Sequence, residues 1–581
     1  MSGFERNDRI IGRKFFQFLL PTVLSTVAVS LNEFVDSIIV SQLLGSSAMS
    51  MVGMGSPVML LFAVIYMMIG SGGSVIYAEY AGKQQQDRAR SAFSVVFIAS
   101  VIIGVFISVF GMVFIRTVTG WFCADDSLIG AFRPYLTVLV LSGAFIIPLQ
   151  VIIIFFPAFG KPHLGTMINI CANGINLIMD YVFIRFFDTG VAGASLATLT
   201  GYIAAAVIVV ILIAAKRISL PLVRVHLSDL DHLKESVKRG VASALSQLGY
   251  CIKIYFCNNL SASLAGMTGL TIFTVCIQCV SIVSISIGGI VGAMAPLASA
   301  LRGQGDFRGM RILMKKVLLT QTLASIVFFL MFELRPEFFL AIYNYGDSNA
   351  KSATAAIRIF SIMFLFRGFV MIFMYYFQVI SRNVYAAVIS ITDGFAGIIP
   401  LAVILTRAMG IDGLWAAYPL LSALMLLVIV IVNHAISARS GGQYSGILVL
   451  PNEDADLPVY DATVPLERNE TERVVCDLQD FCKQKLTSEK TCVLIALAFE
   501  EMISYTADNT DQKSVAAFID VLLQIYPDEV LMDVRSIGKP HDPSTAPAEE
   551  YSNVDVLRKA ASSVEYNYVL GMNQTRIRIA L

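Results

Sequence analysis

Charge is what this chain most lacks. Only 14% of its 581 residues are Asp, Glu, Lys or Arg, where a soluble protein carries about 25%. A chain this poor in charge cannot clothe a large solvated surface. Its nine cysteines are an odd number, and a lone C-x-x-C with no second such pair and no His pair after it falls short of a four-ligand zinc pattern. A disulfide framework and a zinc module are therefore both excluded as the organising principle. Cys276 and Cys279 form a C-x-x-C, but inside an apolar stretch, where a packed pair on one helix face is the simpler reading than redox or metal chemistry. The start, with Arg9, Arg13 and Lys14 ahead of Phe15 to Leu20, lacks an early small-residue cleavage site, so it reads as a retained span and not a signal peptide. There is no basic excess, since 42 basic residues balance 42 acidic ones. The basic loops are short, and nothing points to nucleic acid.

Apolar residues fill the space that charge leaves. They make up 56% of the chain, with a mean hydropathy of +0.73, and they come in long runs. A helix needs roughly 20 mostly apolar residues to cross a bilayer. The runs are too long and too uniform for barrel strands, and a span must satisfy its own backbone, so helices are expected. Twelve candidate spans lie near 15–44, 51–80, 91–118, 133–157, 164–187, 190–215, 240–264, 268–300, 312–335, 354–380, 384–408 and 412–437. Lys and Arg favour the N-terminus and the even-numbered loops, about 20 against 7 in the odd ones. By the positive-inside rule both termini are expected to be cytoplasmic.

The two halves echo each other at an offset of about 220 residues: Leu24-Ser25 with Leu245-Ser246, Gly45 with Gly266, Gly82 with Gly303, and Gly190 and Gly193 with Gly410 and Gly413. Six spans per half give both copies the same orientation, a parallel repeat about an axis along the membrane normal. The expected architecture is an all-α polytopic membrane protein with 12 transmembrane helices in two six-helix bundles, 1–217 and 218–440. A linker at 441–464 and a small α/β cytoplasmic domain at 465–581 follow.

Ionisable residues inside spans are functional candidates because they are costly there. The first half supplies Asn32, Glu33 and Asp36 in span 1. Span 5 carries Asn169, Asn173, Asn176 and Asp180, and span 6 carries Thr198 and Thr200. Helical spacing puts Asn173, Asn176 and Asp180 on one stripe, and Glu33 and Asp36 on one face. The repeat replaces Asp36 by Cys257 and Asp180 by Pro400, so the acids belong to the first half alone. They read as a proton- or cation-binding cluster, or as bonds within a dry helix interface. The second half instead has Lys253, Arg367 and Asp393. Lys253 reads either as a cavity residue facing a carboxylate or anionic substrate, or as a snorkelling side chain.

The stretch "NLIMDYVFIRFFDTGVAGASLATLTGY" from Asn176 to Tyr202, with "EFVDSIIVSQLLGSSAMSMVGMGSP" in span 1, resembles the multidrug and toxic compound extrusion (MATE) transporters over roughly residues 10–440. The resemblance implies antiport of organic, often cationic, compounds against protons or sodium by alternating access, with Asp36, Asn176, Asp180 and Thr198 as the coupling site. Asn32, Glu33, Asn173 and Lys253 are candidates for the substrate cavity. It also implies a multi-pass protein of a bacterial plasma membrane, and no enzyme activity. One branch of the family places acids in spans 7 and 10, where this chain has Lys253 and Arg367. Two rival readings remain: a membrane sensor signalling through the tail, or a flippase for a lipid-linked or anionic substrate.

In the tail, "ALAFEEMISY", "SIGKPHDP" and "VEYNYVLGMNQTRIRI" resemble the histidine-kinase-like ATPase fold, in its anti-sigma-factor-kinase branch. That fold holds magnesium and phosphates with a helix acid and a following asparagine. Glu500 and Glu501 are present, but Ser504 and Tyr505 stand at the asparagine position, and Ser536 replaces the adenine-reading aspartate. A regulatory or protein-docking module that does not bind ATP is expected, with no cofactor and no metal.

Overall fold

In the computed structural model the described residues are 6–581, save 45, 123–125, 219, 343–349, 453–456, 467, 510–517 and 548–551. Some helical side chains, Glu33 and Asp36 among them, also lie outside the described set. Fifteen helices build the apolar part: α1 (Arg9–Leu44), α2 (Ser46–Gly82), α3 (Gln86–Val113), α4 (Ile115–Phe122), α5 (Asp126–Phe155), α6 (Pro162–Arg185), α7 (Ala192–Ala214), α8 (Leu230–Gln304), α9 (Phe307–Leu334), α10 (Pro336–Ile342), α11 (Ala350–Ser361), α12 (Phe364–Val379), α13 (Asn383–Ile391), α14 (Ile398–Met409) and α15 (Ile411–Arg439). Large apolar side chains stay exposed at helical spacing, such as Ile102, Phe106, Val109 and Val113 on α3 and Leu319, Leu323, Val327, Leu330 and Leu334 on α9. Such stripes suit lipid and not water. The protein is a multi-pass membrane protein.

Among the described residues, ten helices are long and apolar enough to span a bilayer, or eleven if the pair Lys351–Ser361 and Phe364–Val379, bent by 41°, is one span. The expected twelve are not reached. The shortfall is the first leg of α8, near 240–264. It is helical, but Gln247, Lys253, Asn258 and Asn259 dilute its apolar character. α8 runs for 75 residues yet is two helices meeting at Ala265 and Gly266. Gly266 has φ +59°, a conformation a Cβ disfavours.

The repeat is visible in the backbone. Gly190 and Gly410 both have positive φ, 57° and 62°. Gly82 lies against the Ala300 carbonyl and Gly303 against the Glu79 carbonyl, so these equivalent glycines let α2 and the end of α8 touch backbone to backbone. Contacts between the halves are reciprocal. α1 packs through Val23 on Gly289 in the second leg of α8, and the first leg of α8 packs through Gly240 on Met68 of α2.

The chain divides into two compact units. One comprises Gln17–Gly303 and Met314–Ile431; the other comprises Met1–Phe16, Gln304–Leu313 and Val432–Leu581. The packing joins both halves in the first unit and gives the second two short segments from elsewhere in the chain. The soluble unit carries a hairpin of β1 (Tyr444–Ser445) and β2 (Leu450–Pro451). β3 (Val459–Pro465), α16 (Arg468–Lys485), α17 (Glu489–Asp508), β4 (Phe518–Ile525), β5 (Glu529–Ile537), α18 (Asn553–Ala560), β6 (Ser563–Val569) and β7 (Met572–Ala580) follow. Five strands form an antiparallel sheet in the order β3-β4-β5-β7-β6. Val474 and Leu478 of α16 and Ile495, Phe499 and Met502 of α17 form one core with Val521, Leu523, Met532, Val534 and Ile577 of the sheet. Ser488 starts α17 by accepting the Thr491 N–H at 3.3 Å, an N-cap. The segment expected to be a linker contains β3, so the sheet begins at Val459 and not at 465. Period-two burial along β3 was hidden by its Pro and Asp flanks.

Candidate functional site

In the first half, α6 and α7 position the predicted polar stripe. Gly201 of α7 sits against the Ala172 carbonyl and the Asn176 Cβ, a close approach only a small residue permits. That approach brings Thr198 to Asn176, whose amide donates to the hydroxyl at 3.4 Å. Thr198 in turn donates to the Ala194 carbonyl at 3.0 Å. Asp180 follows one turn later and is fully buried, with Asn176 nearly so. Asn173 donates to Asn169 at 3.3 Å, and Asn169 donates to Ser25 of α1 at 3.0 Å. Thr166 donates to the Pro21 carbonyl at 2.7 Å. The stripe therefore leads from α7 across α6 onto α1 beside its proline. Asn32 lies on α1 with its amide oxygen buried and unpartnered among the described residues. Glu33 and Asp36 fall on the same helix, but their side chains lie outside the described residues, so only their place on α1 is known.

The second half holds a different cluster. Lys253 is buried, and its ammonium contacts Asp393 at 3.0 Å through Oδ2 and at 2.9 Å through the backbone carbonyl. Arg367 of α12 contacts the other carboxylate oxygen at 2.8 Å. Asp393 sits in a π-helical turn, Thr392–Ala396, between α13 and α14. Such turns redirect one side chain out of the regular helical row. Gly249 and Gly394 meet backbone to backbone there, which draws Lys253 toward the turn. The Tyr418 ring lies 5.9 Å from the ammonium. One acid thus serves two bases. Sequence reading named all three residues but did not join them, because they lie 140 and 26 positions apart along the chain and the π-turn leaves no periodic trace.

A third cluster was missed outright. Glu79, buried near the end of α2, meets Arg239 at 2.6 Å, Arg302 at 3.4 Å and Lys83 at 2.6 Å. Arg302 also donates to the Val379 carbonyl. This latch joins the two halves beside the basic loops. Three further hydrogen bonds cross the halves: Thr22 to the Gly289 carbonyl at 2.8 Å, Thr26 to the Ile285 carbonyl at 3.0 Å and Ser71 to Ser243 at 3.0 Å. Glu79 stands four residues before Lys83 at the edge of a basic loop, and its partners Arg239 and Arg302 are far along the chain, so no local spacing announced the cluster.

In the soluble unit, Glu500, Glu501 and Tyr505 of the ATPase resemblance lie on α17. Glu500 is exposed and Glu501 half-buried; burial and the neighbouring Glu500 raise the Glu501 carboxyl. Tyr505 packs edge-on against His541, 5.8 Å between ring centres. The His541 backbone N–H donates to Tyr566 at 3.1 Å and to Asn573 at 3.2 Å. Ser536 is buried and accepts from Asn573 at 3.4 Å. Burial pushes the His541 imidazole down, which favours its neutral form. Among the described residues no His, Cys, Asp and Glu group is placed to hold a metal ion.

Comparison with known proteins bears on these geometries. The MatE family model matches residues 21–182. A solved MATE protein in complex with MaL6 superposes with a TM-score of 0.69 at 20% identity, covering 74% of this chain and 96% of that one. The fold is that of the MATE transporters. A MOP superfamily transporter from Pyrococcus furiosus, described as having a binding pocket of reverse polarity that suggests a different function, superposes with a TM-score of 0.66 at 20% identity, over 72% of this chain and 94% of its own. Among curated relatives, the multidrug export protein MepA of Staphylococcus haemolyticus (strain JCSC1435) is 23% identical over 195 residues, 34% of this chain and 43% of that protein. The match therefore spans less than half of the MepA chain. About a quarter of the present chain extends beyond the likeness to the solved MATE protein.

Proposed function

We propose that this chain is a secondary active exporter of organic, often cationic, compounds that works by exchange against protons or sodium. The observation that carries this reading is the buried Asp180 beside the Asn176–Thr198 bond, in a fold shared with MATE transporters. A carboxylate inside a membrane span is costly unless neutralised. A proton or a sodium ion neutralises it, and substrate arriving from the other side competes with that state. Asn169 and Thr166 transmit the change to α1 near Pro21, where the helix lacks one backbone bond and bends cheaply. The halves meet on the side of the basic loops, which is one end of an alternating-access cycle. The leg of α8 at 240–264 completes twelve spans, both termini are cytoplasmic, and the membrane is the plasma membrane of a bacterium. The soluble unit works without nucleotide.

Proteoliposomes driven by a proton or a sodium gradient test this. Asp180→Asn is expected to lower gradient-driven efflux by roughly 100-fold or more, as loss of an obligatory charge-bearing group does. Full gradient-driven efflux in Asp180→Asn overturns the coupling assignment.

A second reading concerns the substrate. Two cations share one carboxylate in the second half, which leaves a net positive charge within the spans. That charge favours substrates carrying an anionic group, and the reverse-polarity pocket of the Pyrococcus neighbour is a parallel. Arg367→Gln is expected to abolish efflux of anionic or zwitterionic substrates while retaining cationic ones. An unchanged substrate range removes this reading.

A further inference from the structure

The soluble unit contains more than the C-terminal domain, and its centre is an ionic cluster drawn from three distant parts of the chain. The Arg6 guanidinium contacts both oxygens of Asp306, at 2.9 and 2.7 Å. It also lies 3.6 Å from Asp461 on β3 and 3.6 Å from Asp520 on β4. Arg535 of β5 reaches Asp306 at 2.9 Å. Gln304 bonds Arg535 at 2.5 Å and Gln574 of β7 at 2.8 Å. Arg308 stands 3.6 Å from Asp461, and Arg311 donates to Ser445 at 3.0 Å. The Arg6, Asp306, Asp461 and Asp520 side chains are only 3–4% exposed.

Backbone contacts reinforce the cluster. The Arg6 N–H donates to the Asp461 carbonyl at 3.2 Å, and the Asn7 N–H donates to the Thr463 hydroxyl at 2.9 Å. Arg9 lies over the Phe518 ring at 4.4 Å. Residues 6–9 thus cover β3, the strand at one edge of the sheet, where unpaired backbone groups would otherwise stand open.

A domain that needed only to fold would complete its charge pairs from its own residues. Here two central partners come from outside it. Arg6 lies just ahead of α1, and Asp306 immediately precedes α9. α1 belongs to the first half of the repeat and α9 to the second. The buried Arg6 and Asp306 meet only while both segments are docked, and stripping one partner from a buried pair is strongly unfavourable.

We propose that the C-terminal domain is a brace that ties the starting turns of α1 and α9 together, and so favours the state in which the two halves are closed on that side. Letting go of the Arg6–Asp306 cluster frees one helix of each half and admits the opposite state. The mechanical consequence rests on the alternating-access reading, but its test requires neither substrate nor coupling ion, so the two stand or fall separately.

The test uses the full chain with cysteine introduced at Ser71, which bonds Ser243 across the halves. Inside-out vesicles are treated with a membrane-impermeant maleimide, and labelling at that position is followed by peptide mass spectrometry. Arg6→Ala and Asp306→Asn are each expected to raise the labelling rate about tenfold, and Arg6→Lys by less, because an ammonium keeps the charge but loses the fork. Unchanged labelling in both Arg6→Ala and Asp306→Asn overturns the proposal. This holds even if a variant unfolds the soluble domain, since an unfolded brace must also let go.

Discussion

The two halves share a scaffold and differ in what they bury. In the first, Asp180 is buried one turn past Asn176, at the end of a stripe of bonded polar groups, Asn169, Asn173, Asn176 and Thr198, on helices packed as closely as Gly201 allows. In the second, Asp393 is gripped by Lys253 and Arg367. The first arrangement sets its acid one turn from the Asn176–Thr198 bond, with no Lys or Arg among the predicted polar residues of α6 and α7. The second compensates its acid twice over with groups that never leave. A duplicated fold thus buries its acid among neutral polar groups in one half and between two cations in the other, which is the contrast the proposed division of labour rests on.

The largest effect that would break this contrast comes from exchanging transport phenotypes. Asp180→Asn should abolish dependence on an ion gradient, whereas Lys253→Met should leave that dependence intact and alter only the substrate range. If Lys253→Met instead loses gradient dependence, the division of labour is wrong. Next in size is stability. Asp393→Asn strands two buried cations and is expected to destabilise the detergent-solubilised protein by roughly 3–5 kcal/mol, seen as a lowered Tm. Asp180→Asn is expected to change Tm far less. Equal losses would mean that Asp180 is a structural acid too.

A smaller effect probes the seam where the halves meet. Gly303→Val places a side chain into the Glu79 carbonyl, and overpacking of this kind costs about 1–3 kcal/mol. Closure on that side should weaken, so an introduced Ser71→Cys should label faster. The smallest effect belongs to the soluble unit and separates its acids from both halves. Burial, only partly offset by Arg6, raises the Asp461 carboxyl to about 6, and burial raises Asp520 as well. Desolvation resists the charge on Asp306, but Arg6 and Arg535 outweigh it and hold that carboxyl well below the usual range. A raised carboxyl binds its proton more tightly when folded, so Asp461 adds stability as pH falls from 7 through 6 toward its ordinary value near 3.8. Asp306 acts oppositely, and only below that ordinary value. Thermal unfolding of the soluble unit should therefore shift upward between pH 7 and pH 5, by on the order of 1 kcal/mol. A downward shift would mean that Asp461 is held charged.

Much of this was legible in the sequence, for identifiable reasons. Apolar runs, the basic loops and the glycine echo are local signals with fixed spacing, and Gly190 and Gly410 do share a left-handed backbone. The stripe of Asn173, Asn176 and Asp180 follows helical periodicity, so α6 could be read directly. Lys253, Arg367 and Asp393 were visible one by one, but their union depends on a π-turn and on Gly249 meeting Gly394, which no periodicity announces. Lys253 and its neighbours also cost the first leg of α8 its place among the plainly apolar spans. The polar, proline-marked stretch before 465 reads as a linker with one strand, and β3 lies there, but its pairing was not legible because its partner β4 lies beyond two helices. The Arg6–Asp306 pair was least accessible of all: each residue sits in a basic flank that the orientation rule already explained.

The covered edge of β3 bears on how the protein is made. Asn7 and Thr463 are 456 positions apart, so the N-terminal peptide leaves the ribosome long before the strand it caps exists. Every membrane segment is synthesised in the interval. Residues 6–9 must stay uncommitted until β3 has been made, and a product cut short before that strand cannot dock them. The seam therefore closes only after synthesis has passed the whole span from Asn7 to Thr463.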